Sequence, residues 1–243
     1  MGVFRFKKFD VVNERSAMKV NTDGVLLGAS MTIRPSDRRL LDVGTGTGTI
    51  ALMAAQRLSA FTGQEKALID AIDIDWVSAE EAGANFNNSP WADMLDVRCA
   101  SLDEFAQGND TEYDLIFSNP PYFEDSLPAL QERRSNARHT STGLSYRELL
   151  EFASEHLADE GRFSVVLPSE QEMPLCRYAR MSGLHLFRII RVKTVPRKEP
   201  SRIIAEFGRK RCEMPEEVIL TIQKEGKYTE EYLSLTHDFY LFA

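Results

Sequence analysis

Asn119-Pro-Pro-Tyr122 follows the apolar run Tyr113 to Ser118 and combines residue types suited to chemistry on nitrogen. The Asn119 side-chain oxygen and the Pro120 carbonyl are two acceptors close along the chain, able to take both N–H bonds of one exocyclic amino group. Such a nitrogen is a poor nucleophile because its lone pair is delocalised into the adjoining ring or carbonyl. Two acceptors favour a more pyramidal nitrogen whose lone pair can be aimed at an electrophile. Pro120 and Pro121 fix the turn, so the acceptors need little reorganisation as charge develops. Tyr122, with Phe123 beside it, offers a face on which a planar base can stack. The catalytic candidates are therefore Asn119, Pro120, Pro121 and Tyr122, with Tyr122 and Phe123 also contacting substrate.

Upstream, Asp42-Val-Gly-Thr-Gly-Thr-Gly48 joins an apolar run to a helical pattern. Glycines there let backbone approach a ligand, and the helix start offers N–H groups. Two cofactor classes use such a loop. A dinucleotide fingerprint asks for glycine at 44, 46 and 49, and position 49 is Thr. The spacing resembles instead the S-adenosylmethionine loop of class I methyltransferases, in which an acid opens the motif as Asp42 does. Asp73, in Ala71-Ile-Asp-Ile-Asp75, is placed to accept from ribose hydroxyls; that role suits either cofactor, and a helix cap is its structural alternative. Ser101-Leu102 falls where the class I pattern has an acid beside the adenine amine; Ser101 departs from it, and Leu102 could serve packing alone. Asn-Pro-Pro-Tyr after a strand resembles the catalytic motif of methyltransferases acting on amide or arylamine nitrogen. The two resemblances agree on S-adenosylmethionine as cofactor, held by Asp42, Gly44, Gly46, Gly48, Asp73, Ser101, Leu102 and Asn119.

The elements that must position these residues read as alternating strands and helices, the pattern of a largely parallel sheet. Strands are expected at 39–43, 66–72, 94–99, 113–118 and 163–167, with helices at 49–58, 76–87, 146–157 and 170–181. Beyond Leu184 the pattern becomes hairpin-like, with strand candidates at 184–195, 202–209 and 217–223. The expected fold is α/β: a doubly wound, Rossmann-like class I methyltransferase fold whose seven-stranded sheet is mostly parallel with an antiparallel C-terminal end. One domain over 1–243 is expected, made of an N-terminal segment (1–38), a cofactor and catalytic core (39–183) and C-terminal strands (184–243). Ligands of such sheets sit at the carboxyl ends of the strands, where the strand order switches.

Composition narrows the class. An apolar fraction of 43% with 9% aromatics excludes disorder, and no apolar run reaches the roughly 18 residues of a membrane span. Cys99, Cys176 and Cys212 match neither a disulfide framework nor a zinc spacing, so reduced thiols, no metal and a cytoplasmic location are expected. The net charge is −8, yet nine basic residues face two acids between Arg188 and Arg211. A basic stripe on an acidic body can grip a polyanion, because screening makes binding local over about 8–10 Å. Its alternative is a solvated strand pair.

Phe6-Lys-Lys-Phe9, Ala17-Met-Lys-Val-Asn-Thr-Asp-Gly-Val-Leu-Leu-Gly-Ala29, Asn119-Pro-Pro-Tyr-Phe123 and Asp238-Phe-Tyr-Leu241 together resemble the bacterial tRNA adenine-N6 methyltransferases that modify nucleotide 37 of valine tRNA. The resemblance runs over nearly the whole chain. It implies methyl transfer to N6 of an adenine beside the anticodon, and cofactor-side roles for Lys19, Thr22 and Asp23. A tRNA anticodon stem-loop is the expected partner, met by Tyr122, Phe123, Arg138, Arg197, Lys198 and Arg202, with the enzyme a monomer or weak dimer away from membranes. Ribosomal RNA or a protein glutamine are alternative substrates for the same tetrapeptide. Only 41 residues precede Asp42, fewer than the helical domain that the glutamine enzymes carry there. A non-catalytic S-adenosylmethionine- or RNA-binding module is the alternative outside enzymes, and an NAD-dependent oxidoreductase fits least well.

Overall fold

Strands that are apolar on both sides must be covered on both sides, and that requirement sets the layers. The computed structural model describes residues 2–61, 66–121 and 144–243. A hairpin of β1 (Val3–Arg5) and β2 (Asp10–Val12) leads into helix α1 (Thr22–Ser30). Then β3 (Arg39–Val43), α2 (Thr49–Leu58), β4 (Leu68–Asp73), α3 (Trp76–Asn87), β5 (Leu95–Cys99), α4 (Leu102–Ala106) and β6 (Tyr113–Ser118) follow. After them come α5 (Tyr146–His156), β7 (Leu157–Pro168), α6 (Glu172–Met181), β8 (His185–Lys193), β9 (Arg202–Gly208), β10 (Glu216–Thr221) and α7 (Glu230–Thr236).

The central sheet has the order β10-β8-β9-β7-β6-β3-β4-β5. Its neighbours pair in parallel except at β9, which runs against both β7 and β8. Adjacent residues of one strand point to opposite layers. Leu40, Leu115, Phe117 and Val166 pack with α1, α2, α3 and α7, whereas Leu41, Ile116, Phe163 and Val165 pack with α4, α5 and α6. The expected mostly parallel α/β sheet with an antiparallel C-terminal part is what forms. The strand count is corrected to eight, because β10 joins the sheet as well, though not as a hairpin partner of β9. It passes β8 and joins that strand's outer edge in parallel, from Glu216 opposite Arg188 to Thr221 opposite Lys193. All three cysteines are unpaired. Among the described residues no helix is long and apolar enough to cross a membrane, and no three acidic, His or Cys side chains gather as a metal cluster would.

The chain leaves β3 on one side toward β4 and β5, then returns to β3's other side as β6. The switch point therefore lies between β3 and β6. Their register sets Val43 opposite Ser118, and the buried Ser118 hydroxyl donates to the Val43 carbonyl at 2.7 Å.

Two of the motifs that resemble the tRNA enzymes meet in space. Lys7 N donates to the Phe239 carbonyl at 2.8 Å, Phe6 bridges to Tyr240, and the Lys7 ammonium donates to the carbonyls of His237 and Ala243. Phe6 also stacks on Phe9, whose edge meets Trp91. The segment between this aromatic joint and α1 is held by a polar stripe on α3. Ser78, Glu81 and Asn85 lie three and four residues apart on one face, and all are buried. The Glu81 carboxylate accepts from the backbone N–H groups of Glu14, Arg15 and Ser16 at 2.7–3.2 Å. Asn85 accepts from Val12 N and donates to Val12 O and to Thr47 O in the glycine loop, at 2.8–3.0 Å. Three donors depend on one buried carboxylate, so Glu81→Ala should destabilise the protein by roughly 2–3 kcal/mol. In thermal unfolding this would read as a fall in Tm of about 4–10 °C; an unchanged Tm would show that the segment is held by other contacts.

Candidate active site

The glycine loop turns through three left-handed positions, Gly44, Gly46 and Gly48, with φ of 73°, 57° and 79°. Its N–H groups are largely engaged within the protein. Gly44 N and Thr45 N donate to the Ile72 carbonyl, Gly46 N to the Asp73 carboxylate, and Gly48 N to the Thr45 carbonyl, all within 2.8–3.0 Å. Few donors are left for a pyrophosphate. The glycines also differ in purpose. A Cβ on Gly48 would sit 2.4 Å from the Phe86 ring, so this residue lets α2 close on α3. Gly44 and Gly46 line a shallow groove together with Lys19, Asn21, Ile50 and Asn119.

Two carboxylates stand behind the loop. Asp42 is fully buried, and one oxygen accepts from the Thr45 hydroxyl at 2.7 Å while Oδ1 has no partner among the described residues. Burial pushes its pKa up to about 7, and the nearby Asp73 charge adds to this against the Thr45 bond. Asp73 accepts from Gly46 N and Asp75 N; burial raises its pKa against those two bonds. The helix cap that was the alternative for Asp73 belongs to Asp75, which accepts from Val77 N, Ser78 N and the Ser78 hydroxyl. Next to Asp73, Ile74 is 76% exposed, an apolar side chain at the carboxyl end of β4 that sequence reasoning missed.

Asn119 ends β6 on the other side of the groove and is buried, as is Pro120, while Pro121 is exposed. Its amide nitrogen faces Asn21 Oδ1 at 3.4 Å and Met18 Sδ at 3.7 Å. Sequence reasoning passed over Met18 and Asn21, although Asn21 before Thr-Asp-Gly and an apolar run is a legible N-cap. Tyr122, Phe123 and Arg138 lie outside the described residues.

Lys19, Gly44, Gly46 and Asn119 line one groove, with Asp42 and Asp73 bonded to its loop through Thr45 and Gly46, and several other candidates have structural partners of their own. The Lys19 ammonium donates to the Glu14 carbonyl at 2.6 Å while its residue lines the groove. Thr22 opens α1 and is exposed; Asp23, one residue on, pairs with Arg202 at 2.8 Å. Ser101 N-caps α4 in a reciprocal capping box with Glu104, and Leu102 is buried with Phe105 in the core. Four of the nine bases in the stripe, Arg202 among them, are paired with acids among the described residues. Arg188 pairs with Glu206 and Glu216, Arg191 with Glu172 and Glu217, and Lys210 with Glu160, while Arg209 donates to the Leu157 carbonyl. Arg197 and Lys198 are exposed and make no ion pair among the described residues. They lie in the β8–β9 connection, at the same end of the sheet as Asn119. Arg209 to Arg211 lie at the other end, because β9 runs the opposite way.

These features fit a cationic ligand. A pyrophosphate would face two carboxylates and few available donors, whereas a sulfonium and an ammonium would be attracted to Asp42 and Asp73. The orphaned Asp42 oxygen and the glycine cradle are thus matched by S-adenosylmethionine.

Comparison with known proteins agrees. A family model described as methyltransferase small domain matches residues 16–181. A tRNA1(Val) (adenine(37)-N6)-methyltransferase of Flavobacterium psychrophilum is 40% identical over 239 residues, covering 98% of this chain and 99% of that protein. One of the same name from Parabacteroides distasonis is 43% identical over 239 residues, covering 98% and 97%. Among solved structures, a predicted O-methyltransferase of Agrobacterium tumefaciens matches with a TM-score of 0.61 at 16% identity, over 89% of this chain and 96% of that one, a likeness of fold.

A carboxyl group that holds its proton to about pH 7 when folded, against an ordinary value of 3.8, loses stability for the free protein as pH rises across that window. The loss is complete above pH 7 and amounts to about 4 kcal/mol at most. Asp42→Asn should therefore gain in Tm relative to the wild type between pH 5 and pH 8, by several degrees. In the same variant, titration calorimetry should show weaker S-adenosylmethionine binding and no proton release near pH 7. A Tm difference that does not change with pH would contradict the assignment.

Proposed function

The chain belongs to the tRNA1(Val) (adenine(37)-N6)-methyltransferase family, and from that premise we propose how its residues carry the reaction. The protein is an S-adenosylmethionine-dependent methyltransferase that modifies N6 of an adenine in tRNA. Its target is adenine 37 of valine tRNA, presented by the anticodon stem-loop. The observation that carries this reading is the shared groove. Asn119 at the end of β6 and the glycine loop at the end of β3 line the same cleft, from strands paired directly with each other.

When bound, S-adenosylmethionine supplies a methyl group made electrophilic by its sulfonium sulfur. Gly44, Gly46, Asp42 and Asp73 would hold it, with Asp73 at the ribose and Ile74 against the adenine. Asn119 Oδ1 and the Pro120 carbonyl accept the two N–H bonds of the target amine and turn its lone pair toward the cleft. The burial of both residues keeps water from competing for the amine. Positioning supplies most of the acceleration, and the surplus proton leaves the nitrogen for water. Tyr122 and Phe123 receive the flipped base, at a lower cost from an anticodon loop than from a duplex.

Arg197 and Lys198 take the tRNA backbone, and Arg202 organises the start of α1 through Asp23 rather than binding phosphate. We take the enzyme to act as a monomer or weak dimer, and a tRNA substrate supports a cytoplasmic location.

Asn119→Ala should reduce kcat at least about a hundredfold while leaving the Kd for S-adenosylmethionine within twofold. Loss of cofactor binding in that variant would remove Asn119 from its assigned role. Neutralising Arg197 and Lys198 together should lower the slope of log affinity against log salt by about 1–2 on an anticodon stem-loop. Neutralising Arg209 and Arg211 at the far end should leave the slope as it was. Equal effects from both pairs would discard the β8–β9 connection as the phosphate contact.

A further inference from the structure

We propose that Asn21 is a positioning residue that fixes which end of the Asn119 amide faces the substrate, and that the start of helix α1 fixes Asn21 in turn. This rests on the reading of Asn119 as the acceptor for the target amine. An asparagine amide has a donor end and an acceptor end of nearly equal size, so packing alone does not choose between its two orientations. Turned the wrong way, Asn119 would present N–H groups to an amine that itself donates. Only hydrogen bonding by a neighbour can forbid that state.

Among the described residues, two acceptors face the Asn119 nitrogen. Asn21 Oδ1 lies 3.4 Å away and Met18 Sδ 3.7 Å away. Reversal of Asn119 would set its carbonyl oxygen against an oxygen and a sulfur. Asn21 does not turn to accommodate this, because both ends of its own amide are committed. Its Oδ1 accepts from Gly24 N at 2.8 Å as the N-cap of α1, and its Nδ2 donates to the Lys19 carbonyl at 3.0 Å. Reversing Asn21 would lose both bonds at once and put N–H groups against the partial positive charge of a helix start. The order of donors and acceptors therefore runs from the Gly24 N–H to the Asn21 oxygen, and from there to the Asn119 nitrogen. The Asn119 oxygen is then fixed as the opposite end of its amide. α1 is well suited to anchor such a relay, since every residue from Gly24 to Ser30 is buried.

The test compares Asn21→Ser with Asn21→Asp in the full-length protein, by steady-state methylation of tRNA, cofactor titration and thermal unfolding. Serine and aspartate both cap helices well, so the Tm of each should stay within about 2 °C of the wild type. Serine is too short to cap Gly24 N and also meet Asn119. Its kcat should fall at least about tenfold, with KM and Kd for S-adenosylmethionine within twofold. Aspartate keeps an oxygen toward Asn119 and should recover most of that loss. If serine lowers the Tm by more than this, Met18→Leu removes the second acceptor without touching the cap and should itself reduce kcat. An unchanged kcat in Asn21→Ser, or equal losses in serine and aspartate, would overturn the proposal. Full transfer by Asn119→Ala is a separate result that would overturn the underlying reading instead.

Discussion

The active site depends on the parallel pairing of β3 with β6. On the proposed reading each strand delivers one half of the chemistry at its carboxyl end: β3 the glycine loop, β6 the Asn-Pro-Pro turn. With Val43 opposite Ser118 and the Ser118 hydroxyl bonded to the Val43 carbonyl, the two halves are held at the separation of adjacent strands. A buried hydroxyl without that partner would be costly, so the end of the pair resists fraying. The rest of the fold can be understood as support for this edge. The flanking helices cover both faces of the strands, and the N-terminal segment, held by Glu81 and Asn85 of α3, brings Met18 and Asn21 across to the catalytic side.

Electrostatics divides the same end of the sheet into two regions. Behind the glycine loop, Asp42 and Asp73 make an acidic interior whose burial favours the protonated form, so that a cation such as S-adenosylmethionine would draw it toward ionisation. Out beyond α1, Arg197 and Lys198 give a small positive tip suited to a polyanion. Between them, Asp23 and Arg202 neutralise each other, so that neither field extends far into the other. An acidic protein can thus handle nucleic acid without a broad basic surface. Most of the bases in the Arg188–Arg211 stretch serve structure, above all Arg188, which pairs with the buried Glu206 and donates to the Ser30 carbonyl.

The elements closest to the chemistry were the most legible in the sequence. The helices at 49–58 and 76–87 and the strands at 39–43 and 113–118 have the expected bounds, because apolar period and flanking turns agree there. Ser101, read from the sequence as a cofactor contact, caps α4, a role that Ser101-Leu-Asp-Glu104 spells as a capping box in four residues. What stayed hidden depends on partners distant along the chain. Asn21 meets Asn119 across 98 positions, and Arg202 meets Asp23 across 179. A charge count sees nine bases; it does not see that strand alternation points several of them at acids on other elements. The polar stripe on α3 was obscure for a related reason. Ser78, Glu81 and Asn85 look like a solvated face, yet that face holds the backbone of another segment. β10 could not be placed because its partner, β8, is not its neighbour in sequence.

The most direct test of the account is transfer of labelled methyl from S-adenosylmethionine, followed by mass analysis of the product nucleosides. Unmodified valine tRNA, the same tRNA with guanine in place of adenine 37, ribosomal RNA and a glutamine-containing release-factor peptide would be offered in parallel. The account predicts N6-methyladenosine in the unmodified tRNA and no label in the other three. Label in the guanine-37 tRNA, the ribosomal RNA or the peptide, with valine tRNA left unmodified, would contradict it.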